Sequence, residues 1–411
     1  MNKPVESSRV AAYPAHLAWL GLVVVYCGSV TVGFVFHFLP PVLTIMIDEL
    51  KISHGQAGLL MSVFAFPGVL LSLPGGWLVD RYGERLVGGV GLALMGLGTY
   101  GIGLAPSYNV ILLARLLSGV GVVVGVLALQ RLVVRLFRGR SMGLALGLSA
   151  SALPLGVVVV LNFAGEIAAS DGWREVARQV GSVSFVMGLI FIAVISYVTR
   201  GHDLGRDHMG DDTGSVADRP NFRPIWIAGA AWFCANGSMT TFLTFGPDYY
   251  QHLGFAAGTA GSYTAIPMWT SATLGTTTGW ITERYGGRAS FIAAGMFLMG
   301  LALIVLPSQY LSPVLIGLML GFSMAAVVTP LIALPGILLP STHTGRGYGI
   351  LATCANLGIL LVPPLAGFAR DTSSSYTLPY LLVGGLGLLG AVAAEILRRS
   401  HCVPGLLAHR R

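Results

Sequence analysis

The chain has 411 residues, of which 54% are hydrophobic and only 10% charged, with a mean hydropathy of +0.76. Soluble proteins carry about a quarter charged residues, so the composition speaks against an ordinary soluble enzyme. The net charge of +7 comes from 24 Lys+Arg, nearly all Arg, set singly or in short groups between apolar blocks with no basic patch interleaved with aromatics, so nucleic-acid binding is not implied.

A membrane span needs roughly 20 apolar residues. Blocks of that kind lie at 17–46, 56–78, 86–105, 109–134, 141–165, 178–199, 225–246, 257–280, 289–307, 311–339, 346–368 and 377–397, twelve in all. The first is too long for a plain span and contains Pro40–Pro41, which predicts a kink or an end there. The tenth carries Pro330 and Pro335 and is predicted to kink too. No signal peptide is expected at the N-terminus, because the first block is followed by further spans. Cys27, Cys234, Cys354 and Cys402 are scattered without a CxxC, so neither a zinc site, a disulfide framework nor any cofactor is predicted.

Orientation follows from the cations. With the N-terminus inside, the inner loops and tails hold 19 Lys/Arg and the outer loops four (Lys51, Arg174, Arg178 and Arg370), leaving Arg115 within a span. This bias predicts both termini in the cytoplasm of a multi-pass inner-membrane protein. The longest loop, 200–224, is rich in Asp, Gly and Arg and reads as a cytoplasmic linker. It divides the chain into a six-span half at 1–199 and a second at 225–411.

An internal repeat supports that division. GWLVDRYGER at 76–85 matches GWITERYGGR at 279–288 at a constant offset of 203. GRSMG at 139–143 matches GRGYG at 345–349 at an offset of 206. Two matched loops at nearly one offset indicate a duplication. In the first loop a carboxylate at a helix end, flanked by Arg and a turn-forming Gly, can clamp neighbouring spans. The clamp residues are Gly76, Asp80, Arg81, Gly83 and Arg85 in one half and Gly279, Glu283, Arg284, Gly286 and Arg288 in the other. Asp80 can pair with an Arg on a neighbouring helix or accept from a helix N-terminus, and Arg131 is expected to belong to the clamp.

On these residues the chain resembles the major facilitator superfamily of secondary transporters. The family's loop after span two follows Gly-x3-Asp-Arg-x-Gly-x-Arg/Lys, met here by Gly76, Asp80, Arg81, Gly83 and Arg85. Its fourth-span pattern is similar to Arg115, Gly119 and Gly121, and the GWR at 172–174 is also familiar. GLSASALPLG at 147–156 resembles the family's fifth span but lacks the Gly-Pro pairing of its antiporter motif. The resemblance covers 17–397. It implies an all-α membrane protein, twelve transmembrane helices in two pseudo-symmetric six-helix bundles, with a central cavity and alternating access.

Within that frame the first, fourth, seventh and tenth spans face the substrate. Ionisable groups deep in a span are costly and so mark function. Arg115 lies seven residues into its block, ~10 Å deep, and His37 in the outer half of the first. Further candidates for substrate binding or coupling are Tyr26, Asn236, Thr240, Thr241, Trp269, Ser323 and Asn356. No Asp or Glu sits mid-span; Asp48, Glu49, Glu166 and Asp248 fall near outer ends. Arg and His without a carboxylate favour an anion.

The reading is a monomeric secondary transporter in membrane lipid moving a small anion, with proton symport through His37. The alternatives are an efflux carrier for drugs or hydrophobic compounds, and a non-transporting membrane sensor. No HExxH, GxSxG or Walker loop is present, and GVGVVVG at 119–125 lacks the GK[ST] a nucleotide loop needs, so neither an enzyme nor an ATP-driven pump is indicated.

Overall fold

The computed structural model describes residues 14–137, 141–200 and 221–399; the middle of the linker, 201–220, and Cys402 lie outside them. The described residues form thirteen α-helices, joined by short turns within each half, with no strand among them. The first crossing is α1 (Ala15–His37) and α2 (Leu43–Leu50), joined by a 3-10 turn at Pro40–Val42. α3 (His54–Ser62) runs into α4 (Phe66–Leu104), and Gly83 inside α4 has φ 80° and ψ 156°. That conformation suits glycine. It ends the second crossing and starts the third. There follow α5 (Tyr108–Leu136), α6 (Met142–Asp171) and α7 (Trp173–Val198). The second half holds α8 (Arg223–His252), α9 (Ala257–Tyr285), α10 (Arg288–Val305), α11 (Pro313–Leu338), α12 (Ser341–Ser373) and α13 (Thr377–Arg399).

These helices make twelve crossings. Ten stretches are long and apolar enough to cross a membrane by composition alone, and the remaining two are α8 and α9. α8 is less apolar because it is an inner helix, with Ser238 through Tyr250 buried without a break. A helix shielded from lipid can carry threonines and an aspartate. The predicted break at Pro40–Pro41 is where α1 ends, whereas α11 continues as one helix through Pro330 and Pro335.

Because the crossings alternate, the start of α1 and the end of α13 share one face, here the termini face; the other is the far face. In the first half α4 packs on α5 and α7, and α1 on α6. In the second, α10 packs on α13 and α11, and α8 on α12. The halves meet along α3 with α12 and along α6 with α9. These contacts are intimate near the far face. A Cβ on Gly58 would sit 2.6 Å from the Pro363 carbonyl oxygen, and one on Gly261 would run into the Leu161 carbonyl. Ser262 donates to Asn162 Oδ1 at 2.6 Å across the same seam. Toward the termini face the seam parts: Met142, Leu144, Leu146 and Leu148 at the start of α6 are exposed, whereas Val157, Val158, Val160 and Leu161 further along are buried.

Candidate functional site

Arg115 is fully buried in α5. Its NH1 donates to the Val35 carbonyl at 2.6 Å, NH2 to Phe36 at 3.0 Å and Nε to Leu60 at 3.3 Å. Local sequence explains those acceptors. In an unbroken helix Pro40 would bond back to Phe36, but proline has no N–H. The Leu60 carbonyl lies where α3 gives way to a 3-10 turn at Val63–Ala65. Arg115 thus takes the place that Pro40 leaves empty at Phe36 and bonds further carbonyls beside the breaks in the first and second crossings. Its guanidinium also lies over Phe64, 4.3 Å from the ring centre. No carboxylate among the described residues lies within ion-pair distance of it.

His37 closes α1 beside this arginine, buried and stacked on Phe36 at 4.9 Å between ring centres. Neither ring nitrogen has a hydrogen-bond partner among the described residues. The two ionisable candidates therefore stand together in the first half's core. The other candidates do not join them. Tyr26 reaches Ser151 at 3.5 Å. Asn236, Thr241, Ser323 and Asn356 each donate to the carbonyl four residues back on their own helix. Thr240 is buried, while Trp269 is half exposed. Asn356 does contribute to the seam: its carboxamide oxygen would lie 2.7 Å from a Cβ on Gly68 of α4.

At the far face a polar bridge joins the halves, and the sequence did not reveal it. Asp248 of α8 accepts from Thr44 of α2 at 2.7 Å and from the Tyr376 hydroxyl. His54, first residue of α3, points Nε2 at Asp248 Oδ2, 3.5 Å away. Asp371 of α12 accepts from the backbone N–H of His54 and of Gly55, each at 2.9 Å, and faces His54 Nδ1 at 2.9 Å. It thus caps a helix of the other half. Ser53 completes that cap: its hydroxyl accepts from Gln56 N while its own N–H donates to Gln56 Oε1 at 2.9 Å. This S-x-x-Q box was visible in the sequence; its partner, 317 positions away, was not. Glu49 serves within the first half, accepting from Trp173 Nε1 at 2.7 Å and pairing with Arg174. These are the Trp and Arg of the GWR segment.

At the termini face Asp80 pairs with Arg131 of α5. Glu84, buried beside it, takes Arg135 at 2.9 Å and Arg131 at 3.5 Å. Arg81 lies over Trp77 and Tyr82 at 5.2 and 5.6 Å, and Arg284 over Trp280 and Tyr285 at 5.4 and 5.9 Å, so the repeat is also a geometric one. Gly83 and Gly286 both have positive φ. Gly76 and Gly279 precede them on α4 and α9, Arg85 is exposed, Glu283 stands in the last turn of α9 and Arg288 opens α10. The copies differ in one respect. Where the first has Glu84 the second has Gly287, and the end of α11 (LIALPGIL) offers no arginine.

Solved structures share this arrangement. A bacterial homologue of the human lysosomal transporter Spinster, in an inward-facing and occupied conformation, superposes with a TM-score of 0.75 at 15% identity, over 94% of this chain and 97% of that one. Among sequence relatives, the Probable sulfoacetate transporter SauU of Cupriavidus necator is 24% identical over 84% of this chain and 86% of its own. The hexuronate transporter of Bacillus subtilis is 22% identical over 84% and 86%. The lysosomal dipeptide transporter MFSD1 of Homo sapiens is 20% identical over 86% and 80%. The Major Facilitator Superfamily model matches residues 25–256 and 233–403. With its twelve crossings and paired clamp loops, the chain belongs to the Major Facilitator Superfamily.

Proposed function

We propose that this transporter carries a small organic or inorganic anion by alternating access, with proton symport, across the cytoplasmic membrane. The observation that carries the reading is Arg115: a buried guanidinium with no carboxylate in reach among the described residues, beside a histidine with no partner. Its hydrogen bonds go to neutral carbonyls, so its charge is left to act on what enters the bundle. A fixed charge in a low-dielectric interior attracts the opposite sign. The names of two relatives, for sulfoacetate and hexuronate, point to anions as well.

Arg115 acts here through its field and as a pin for the kinked helices, and His37 is the group that takes up the proton. Arg cannot give up its proton at physiological pH, whereas His can. With both chain ends in the cytoplasm, the parted termini face is the inner one and the structure is the inward-facing state.

Ligand stabilisation tests the substrate class. A ligand that binds the folded state at 100 times its Kd adds about 2.7 kcal/mol. Purified protein heated with sulfonates, uronates, other carboxylates and lipophilic cations should melt later with an organic anion. Stabilisation by lipophilic cations alone would favour the efflux alternative.

A further inference from the structure

The far-face bridge holds one imidazole whose two nitrogens both look at carboxylates: His54 Nδ1 is 2.9 Å from Asp371 Oδ1 and Nε2 is 3.5 Å from Asp248 Oδ2. A neutral imidazole has one N–H and one lone pair, so it can donate to only one of them and turns a lone pair on the other. The imidazolium donates to both. Each carboxylate is otherwise surrounded by donors: the His54 and Gly55 amides at Asp371, the Thr44 and Tyr376 hydroxyls at Asp248. Both are therefore set as acceptors. Around them, Arg370 lies over the Tyr376 ring at 4.6 Å, His252 is 5.9 Å from that ring, and Tyr108 donates to the Gln56 carbonyl. Among the described residues neither Arg370 nor His252 forms an ion pair with Asp248 or Asp371, so the two carboxylates are the charged groups that His54 meets directly.

His54 belongs to the first half, and Asp248 and Asp371 to the second. The far face cannot open without drawing them apart. We infer that His54, Asp248 and Asp371 form a proton-binding site that is complete only when the two halves meet at the far face, so that acid holds that face shut. The sign follows from linkage. The shut state binds more protons, so shutting is favoured as pH falls and opening as it rises. His54 opens α3 at the far face and keeps 21% of its side-chain surface open there, so we take its proton to exchange with the solution on that side while the face is shut. The site reads the pH of the far side and does not pass a proton across. This holds whatever the substrate is.

The test reads conformation, not transport. Spin labels at Lys51 and Tyr310, exposed far-face positions in opposite halves, would be placed on full-length protein freed of its native cysteines. Their distance distribution is followed from about pH 8 to pH 5.5, the range in which histidine titrates. The ratio of short to long distances should rise by at least about fivefold on acidification, the lower end of ordinary coupling. In His54→Gln it should stay flat, and in Asp248→Asn the rise should move to lower pH. Measuring also in Gly261→Ala, where the added Cβ meets the Leu161 carbonyl and favours opening, brings both populations into view. A pH-independent ratio in both backgrounds, or an unaltered pH response in His54→Gln, overturns the inference.

Discussion

Arg115 donates to the carbonyl of Phe36, the acceptor that Pro40 cannot serve. One buried side chain on the fourth crossing thereby ties the proline-set break in the first crossing to the 3-10 turn in the second. A substitution there touches structure and charge together, and two variants separate the effects. Hydrogen bonds from a charged donor contribute roughly 1.5–3 kcal/mol each. Arg115→Ala should lower the melting temperature sharply and abolish transport. Arg115→Lys keeps the charge but loses the fork that reaches three carbonyls. It should recover part of the stability and retain weakened transport. Full transport in Arg115→Ala would remove the arginine from the account.

The clamp is predicted to be asymmetric. Asp80→Asn breaks a pair in which both partners are substantially exposed, which costs stability about 1 kcal/mol or less. It should slow transport without abolishing expression. Glu84→Gln removes the carboxylate shared by Arg131 and Arg135 and should cost more, about 2 kcal/mol once the 3–5 for a fully buried pair is discounted for solvent. Glu283→Gln should be milder than either, because α11 ends without an arginine to lose its partner. Initial uptake rates and melting temperatures of the three variants check the order.

Sidedness rests on the cation distribution. Single cysteines at 210 and 373, in a chain otherwise free of them, should label from opposite sides of the membrane, with 210 protected in intact cells. Labelling of both from outside would contradict this topology, and labelling of 210 alone would reverse the orientation.

His37 supplies the pH test of symport. In a His54→Gln background, which removes the far-face response to acid, uptake should rise as the external pH is lowered from about 8 to 6, where histidine titrates. Adding His37→Gln should keep substrate exchange and lose that slope. If the two slopes agree, coupling lies elsewhere, with Asp48, Glu166 and Asp248 the next groups to replace.

Elements with a local cause could be read from the sequence. The apolar blocks became the crossings, Pro40–Pro41 marked the end of α1, and the repeated GWxxxRYGxR marked the turns at Gly83 and Gly286. Arg115 stood out because a lone cation in an apolar block is costly wherever it lies. Its acceptors did not stand out, since every residue carries a carbonyl. The far-face bridge was illegible for another reason. His54, Asp248 and Asp371 each sit at a helix end, where a polar residue is unremarkable, and only the docking of two separately built halves brings them together. Glu84 could have been suspected from its replacement by Gly287 in the second copy, but the partners at Arg131 and Arg135 emerge only when α5 packs on α4.

The central claim is that the solute is an anion. Uptake into proteoliposomes of purified protein, over a panel of radiolabelled organic anions, lipophilic cations and neutral solutes of similar size, tests it most directly. The account predicts saturable accumulation of at least one small sulfonate or carboxylate, stimulated by an inward proton gradient and lost in Arg115→Ala. Accumulation of cations or neutral compounds with every anion excluded would contradict it.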